Sequence, residues 1–257
     1  MNRFLILMYH MINKPESTAE ARYACTPEQF DNHMHALIQN GYTPVSLEQI
    51  EQSLLYNKTL PKNAVAITLD DGFADNYTHA FPILIKHKIP ASIFLASGCI
   101  ESSNKWMVSR GFPKRDMLSW NQIREMDKYQ ITFGAHTVNH AKLPNLDTHS
   151  AALEISNSKT TIENQLGKAC KHFAYPYGQF NSENRKSVET VGFSLACSTD
   201  SGFNNNNTDP FELRRIEVYG NDSIWKLKQK MTFGMNKASL LVPVKYYTSR
   251  LLNRITH

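Results

Sequence analysis

Ala64-Val65-Ala66-Ile67-Thr68-Leu69-Asp70-Asp71-Gly72 is an apolar run that stops at two adjacent carboxylates and a glycine. Residues 65–69 read as a strand. Comparable runs lie at residues 3–9, 91–96, 131–135, 172–174, 193–198 and 213–219. Helix-like segments separate them and carry legible start signals. Thr26-Pro27-Glu28-Gln29 has a capping hydroxyl, a proline at the first helical position and a glutamine placed to reach back. Ser46-Leu47-Glu48-Gln49 and Ser119-Trp120-Asn121-Gln122 repeat the capping-box pattern. Gly41, Gly167 and Gly192 sit where helices should stop. Seven strands divided by helices imply right-handed βαβ units and a parallel sheet, an α/β fold. Asp70-Asp71, His136 and Tyr175-Pro176-Tyr177 each fall just after a strand. In a closed or nearly closed (β/α) barrel those ends share one rim, where catalytic groups collect. An open doubly wound sheet would call for a Gly-rich phosphate turn, and none is present.

The 257 residues include 41% hydrophobic and 20% charged residues, enough for one large α/β domain with a proper core. No segment approaches the roughly 20 apolar residues that span a bilayer. The opening Met1-Asn2-Arg3-Phe4-Leu5-Ile6-Leu7-Met8-Tyr9 has a short apolar core, and no small-residue cleavage site follows. It reads as a buried first strand, with a cytoplasmic chain as the expectation. Cys25, Cys99, Cys170 and Cys197 are scattered and read as free buried thiols.

The net charge of +5 is uneven. Residues 226–257 hold seven Lys or Arg and no acid, which leaves 21 basic against 23 acidic groups in residues 1–225. Residues 1–225 are therefore expected to form the barrel domain, and residues 226–257 a basic amphipathic helical appendage. The interleaved aliphatic, aromatic and cationic residues from Leu240 to Ile255 suit a helix lying on an anionic membrane surface, at the inner face of the membrane. A terminal helix packed on the barrel is the competing reading. No nucleic-acid motif accompanies the charge, so nucleic acid is not an expected partner.

Two histidines four apart end another apolar run, in His136-Thr137-Val138-Asn139-His140. They can point at one ion if the segment turns helically. With Asp71 they make two nitrogens and one oxygen, a set suited to Zn²⁺ or a similar divalent ion with a position left open for water. Asp70 diverges from its neighbour and is left as a base on that water. Metal-assisted hydrolysis follows. His33, His35, His79, His87 and His149 read as surface residues.

Thr68-Leu69-Asp70-Asp71-Gly72, His136-Thr137-Val138-Asn139-His140 and Phe173-Ala174-Tyr175-Pro176-Tyr177-Gly178 resemble, in order and spacing, three motifs of the polysaccharide deacetylases. These are the nodulation-deacetylase-like enzymes of carbohydrate esterase family 4. The resemblance runs from about Leu7 to Tyr219 and implies a distorted (β/α) barrel. It implies metal-dependent removal of an acetyl group, N-acetyl above all, from a sugar or glycan of the bacterial cell surface or a lipid-linked intermediate. It assigns Asp71, His136 and His140 to one divalent metal, Zn first and Co, Ni or Mn after it. It assigns Asp70 to the base and an oxyanion-binding N–H to Tyr177, with Pro176 stiffening the turn. Two departures stand out. Ala174 occupies the place of an arginine that pairs with the base, and Arg215 from the last strand is the candidate substitute, with Arg214 second. The late motif that supplies a general acid is not visible, and His10 is the candidate there. Trp106 and Tyr177 are candidate sugar-stacking residues. The missing acid motif also motivates the alternative of a catalytically impaired barrel that binds a glycan or an assembly complex.

Overall fold

The computed structural model describes residues 3–239. The expectation of a membrane-lying segment at residues 240–255 lies outside the described residues. Elements in chain order are β1 (Leu5–Tyr9), β2 (Met11–Ile12), β3 (Ala24–Cys25), α1 (Pro27–Gln39), β4 (Thr43–Pro44), α2 (Leu47–Tyr56) and β5 (Ala64–Leu69). Then come α3 (Phe81–His87), β6 (Ala91–Leu95), α4 (Lys105–Val108), α5 (Trp120–Met126), β7 (Ile131–Ala135), α6 (Thr148–Leu166) and β8 (His172–Ala174). The chain continues through α7 (Ser182–Thr190), β9 (Leu195–Cys197), β10 (Ile216–Glu217) and α8 (Ile224–Phe233).

Seven parallel strands run in the order β10-β1-β5-β6-β7-β8-β9, with β4 added beside the start of β5. The two ends approach each other. Leu213, just ahead of β10, bridges in parallel to Cys197 of β9, while β10 itself pairs with β1. The sheet therefore curls into a distorted (β/α) barrel, as the sequence implied. Helix starts follow the predicted chemistry. Thr26 accepts from the N–H of Gln29, and Ser46/Gln49 and Ser119/Gln122 form reciprocal capping boxes. All four cysteines are free and buried.

Period-two alternation sorts the strand residues into two packed groups. Leu5, Leu7, Val65, Ile67 and Leu69 join the layer beneath helices α1, α3 and α5. Ile6, Ala66, Phe94, Ala174 and Leu195 pack together inside the curl. The inner space is tight at Gly134, where a Cβ would stand 2.6 Å from the Phe94 ring and 2.7 Å from the carbonyl of His172. Continuing the inward alternation along β1, β5, β7 and β10 brings His10, Asp70, His136 and Glu217 to one cavity at the carboxyl ends of the strands.

The structure departs from the sequence reading in three respects. The strands β2, β3 and β4 are two residues each, too short for a periodic signal, and β2 and β3 form a small separate parallel pair. Helix α8 runs through the 225/226 division, and its Leu227 and Met231 pack into the main core. His33 is fully buried rather than on the surface. Its ring bridges the Tyr9 hydroxyl, 3.3 Å away, and the Asp222 carbonyl, 2.7 Å away. A histidine that satisfies both nitrogens can occupy a core position that composition alone would deny it.

Candidate active site

Asp70 and Asp71 follow β5 in a loop that serves two purposes. The Asp70 N–H donates to the Tyr9 carbonyl and continues the ladder to β1. Asp71 then takes a positive φ of 78°, a left-handed conformation that costs a side-chain-bearing residue energy. The reversal lets two consecutive carboxylates meet different partners.

Asp70 is buried and grips Arg215 in a two-pronged contact, with Oδ1 2.6 Å from Nη1 and Oδ2 2.8 Å from Nη2. Arg215 is itself 0% exposed, donates also to the Ser198 carbonyl, and lies behind the carboxylate rather than on the cavity wall. Burial opposes the charge on Asp70, but Arg215, His136 and His10 outweigh it and hold the carboxyl below its ordinary range. The candidate cation for the missing arginine partner is thus in contact with the base candidate, delivered from the position just ahead of β10.

Asp71 faces the two histidines. Its Oδ1 is 3.5 Å from His136 Nε2 and 3.1 Å from His140 Nε2, and one ligand atom from each of the three residues lies within 4.8 Å of the others. All three residues are buried, yet Asp71 Oδ1 makes no well-directed hydrogen bond. His136 donates from Nδ1 to the Ala174 carbonyl at 2.7 Å, which leaves Nε2 as a bare lone pair aimed at Asp71. Burial pushes the His136 pKa down to about 4 against the pull of Asp70, so the ring is neutral at pH 7. A buried anion with an unsatisfied oxygen, facing two imidazole nitrogens, is a set that a divalent cation completes. The described residues fit a metal.

The two histidines converge by a different route from the expected helical turn. Residues 136–140 form a bend, with Thr137 at φ 63° and His140 at φ 54°. Glu154 of α6 holds it, accepting from the N–H groups of Val138 and Asn139 and from the Asn139 side chain. Glu154 carried no motif signal, because two of its three donors are backbone groups. His140 is fixed by ring packing. Trp106 stacks on it at 4.7 Å and 23°, and Tyr177 meets it edge to face at 4.6 Å and 72°.

The cavity, about 200 Å³, is lined by His10, Asp70, Asp71, Trp106, His136, His140 and Tyr177. Pro176 does not reach it; it is buried in the turn after β8, where Tyr177 takes φ 59°. Hydrogen bonds within that turn are donated by Gly178 and Gln179. His10 Nδ1 is buried without a partner, and its ring lies edge-on to Tyr23 at 5.3 Å. Sequence reasoning passed over Arg22, Tyr23, Arg110 and Glu217, which also line the wall. Glu217 could have been found by extending the inward alternation two residues beyond Arg215.

A family model described as polysaccharide deacetylase matches residues 57–196, just over half the chain. The chain belongs to the polysaccharide deacetylase family. The deacetylase is similar to the solved deacetylase PplD of Streptococcus pyogenes in complex with acetate, at 30% identity and a TM-score of 0.78, over 89% of this chain and 98% of that one. It is similar also to IcaB from Ammonifex degensii, at 28% identity and a TM-score of 0.75, over 85% and 92% of the two chains. The poly-beta-1,6-N-acetyl-D-glucosamine N-deacetylase of Staphylococcus aureus is 26% identical over 239 residues, 84% of this chain and 79% of the relative. By these relations the protein is an enzyme, a carbohydrate deacetylase.

Proposed function

We propose that the enzyme hydrolyses the N-acetyl group of N-acetylhexosamine units in a surface glycan, with Asp71, His136 and His140 holding one divalent metal, Zn²⁺ first among candidates. The observation that carries this reading is the split between the two carboxylates: Asp71 is turned to two imidazoles, while Asp70 is locked on Arg215 beside them. A divalent ion bound there would polarise the acetyl carbonyl and lower the pKa of a coordinated water. Asp70 then accepts a proton from the attacking water. Arg215 keeps Asp70 ionised and aimed, so the base is ready without rearrangement. In this reading the Tyr177 N–H binds the developing oxyanion, supported by Tyr177 lining the cavity and taking a left-handed turn there. His10, whose Nδ1 is buried without a partner and which is not among the proposed metal ligands, protonates the leaving amine. Trp106 and Tyr177 confine the sugar by their ring surfaces.

The names of the relatives support an N-acetylated glucosamine polymer as the substrate class, and the acetate in the PplD structure suits an acetyl product. Acetate release from β-1,6-linked N-acetylglucosamine oligomers tests the reading. Purified enzyme supplied with Zn²⁺ should release acetate, and chelation followed by metal return should abolish and restore it. Turnover undiminished by exhaustive chelation would refute the metal assignment. No release from any acetylated oligomer would refute the substrate class.

A further inference from the structure

Glu20 is fully buried, takes no part in the chemistry above, and meets a cation from a distant loop. Arg115 grips it in a two-pronged contact, with Nε 2.7 Å from Oε1 and Nη2 2.6 Å from Oε2. The same guanidinium donates to Glu16 Oε1 at 2.6 Å and to the Lys14 carbonyl at 3.0 Å. All three partners lie in the segment that joins β2 to β3. Arg115 itself belongs to the long connection between β6 and α5, which also carries α4. Its N–H donates to Asn104 Oδ1 at 2.8 Å, and the Asn104 N–H donates back to the Arg115 carbonyl at 3.2 Å. Arg115 is therefore tied to the start of α4. One ion pair thus joins two walls of the catalytic cavity, Arg22 and Tyr23 on one side and Trp106 and Arg110 on the other.

Each wall holds an imidazole of the site. Trp106 is stacked on His140 at the metal end. Tyr23, whose N–H donates to the Glu20 carbonyl at 2.8 Å, meets His10 edge to face at 5.3 Å. The two imidazoles differ in what else supports them. Glu154 shapes the bend that carries His140, and Tyr177 packs on its ring. His10 Nδ1 has no hydrogen-bond partner, so ring packing carries its orientation. Loss of the Arg115–Glu20 contact would therefore disturb His10 more than the metal ligands.

We propose that Arg115 is a positioning residue: through Glu20 and Tyr23 it sets the His10 ring at a fixed place relative to Asp71, His136 and His140. The inference rests on the reading of His10 as proton donor to the leaving amine. A guanidinium that grips both oxygens of a buried carboxylate fixes direction as well as distance, which an ammonium does not reproduce. A displaced proton donor slows the chemical step and leaves substrate binding largely intact.

The test is a double-mutant cycle on the full-length enzyme supplied with Zn²⁺ and β-1,6-linked N-acetylglucosamine oligomers. Arg115→Ala should lower kcat by about 10–100-fold, with little change in KM. Arg115→Lys should lose less. In a His10→Ala background, itself slowed by about 10²–10⁴-fold, adding Arg115→Ala should cost no more than about two-fold, because both changes act on one group. Losses that multiply in the double variant, or wild-type kcat in Arg115→Ala, overturn the positioning role and leave the deacetylase reading intact. Wild-type kcat in His10→Ala overturns the donor assignment and the inference with it. A second readout needs no turnover. The ring-proton NMR signals of His10, assigned by their loss in His10→Ala, should move in Arg115→Ala and move part of the way in Arg115→Lys, which carries both tests if the alanine variant does not fold. Unmoved His10 signals also overturn the positioning role.

Discussion

Asp70 and Asp75 are five residues apart in one loop, both buried, and their surroundings push them in opposite directions. Asp70 meets a guanidinium squarely and stays ionised. Asp75 accepts from the Ile12 N–H at 3.0 Å and from the Asn76 side chain at 3.0 Å, with no cation in direct contact. Burial lifts its pKa to about 6 despite those bonds. Asp71 sides with Asp70: His140, His10 and His136 outweigh its burial and hold it well below the usual carboxylate range, although it faces imidazoles rather than a guanidinium. Burial alone therefore does not mark a catalytic carboxylate. The charge of what faces it decides whether it is a base, a ligand or a structural acid.

The largest effect should come from taking the cation away. Arg215→Met leaves Asp70 buried and unpaired, which costs about 3–5 kcal/mol of stability for a broken buried pair. Urea denaturation reads this directly. The double variant Asp70→Asn/Arg215→Met should regain much of the stability and none of the activity. A single Arg215→Met protein as stable as wild type would break the contrast with Asp75.

Asp75 tests the other side. Its folded pKa of about 6 lies above the ordinary 3.8, so the folded protein retains a proton that the unfolded chain releases. The associated stability is complete below about pH 4 and is lost as pH rises through about 6, up to about 3 kcal/mol. Asp75→Asn should flatten that part of the stability–pH curve. An unchanged slope between pH 4 and 6 would show that Asp75 is ionised in the fold like Asp70.

A smaller effect is expected at Glu154, which shapes the bend that carries His140. Glu154→Ala should weaken metal affinity by about 10–100-fold, the usual consequence of losing a supporting hydrogen bond behind a ligand. Competition with a chromophoric chelator measures it. Unaltered affinity would mean that ring packing by Trp106 and Tyr177 suffices to place His140.

The barrel was legible because its main strands are long apolar runs, and the site because its ligands fall at their ends. Arg215, with Arg214 as second choice, was offered by the sequence because Ala174 stands where the resemblance expects an arginine and the last strand carries two; the structure puts Arg215 against Asp70. Other features carried no such trace. The bend at residues 136–140 depends on left-handed backbone at Thr137 and His140 and on a carboxylate sixteen residues from Val138. Spacing alone suggested a helix there. His33 looked like a surface residue because its two partners, Tyr9 and the Asp222 carbonyl, are distant in the chain. Pro176 shares a motif with Tyr177 but is turned away from the cavity, a distinction that only the backbone reveals.

The division of labour between adjacent carboxylates is tested most directly by titrating Zn²⁺ into metal-stripped wild-type, Asp70→Asn and Asp71→Asn proteins, with acetate release followed in parallel. Wild type and Asp70→Asn should each bind one ion with similar affinity, Asp70→Asn should lose turnover by about 10²–10⁴-fold, and Asp71→Asn should lose the ion as well. Equal Zn²⁺ affinity in the two variants would contradict the assignment of Asp71 to the metal and Asp70 to the proton.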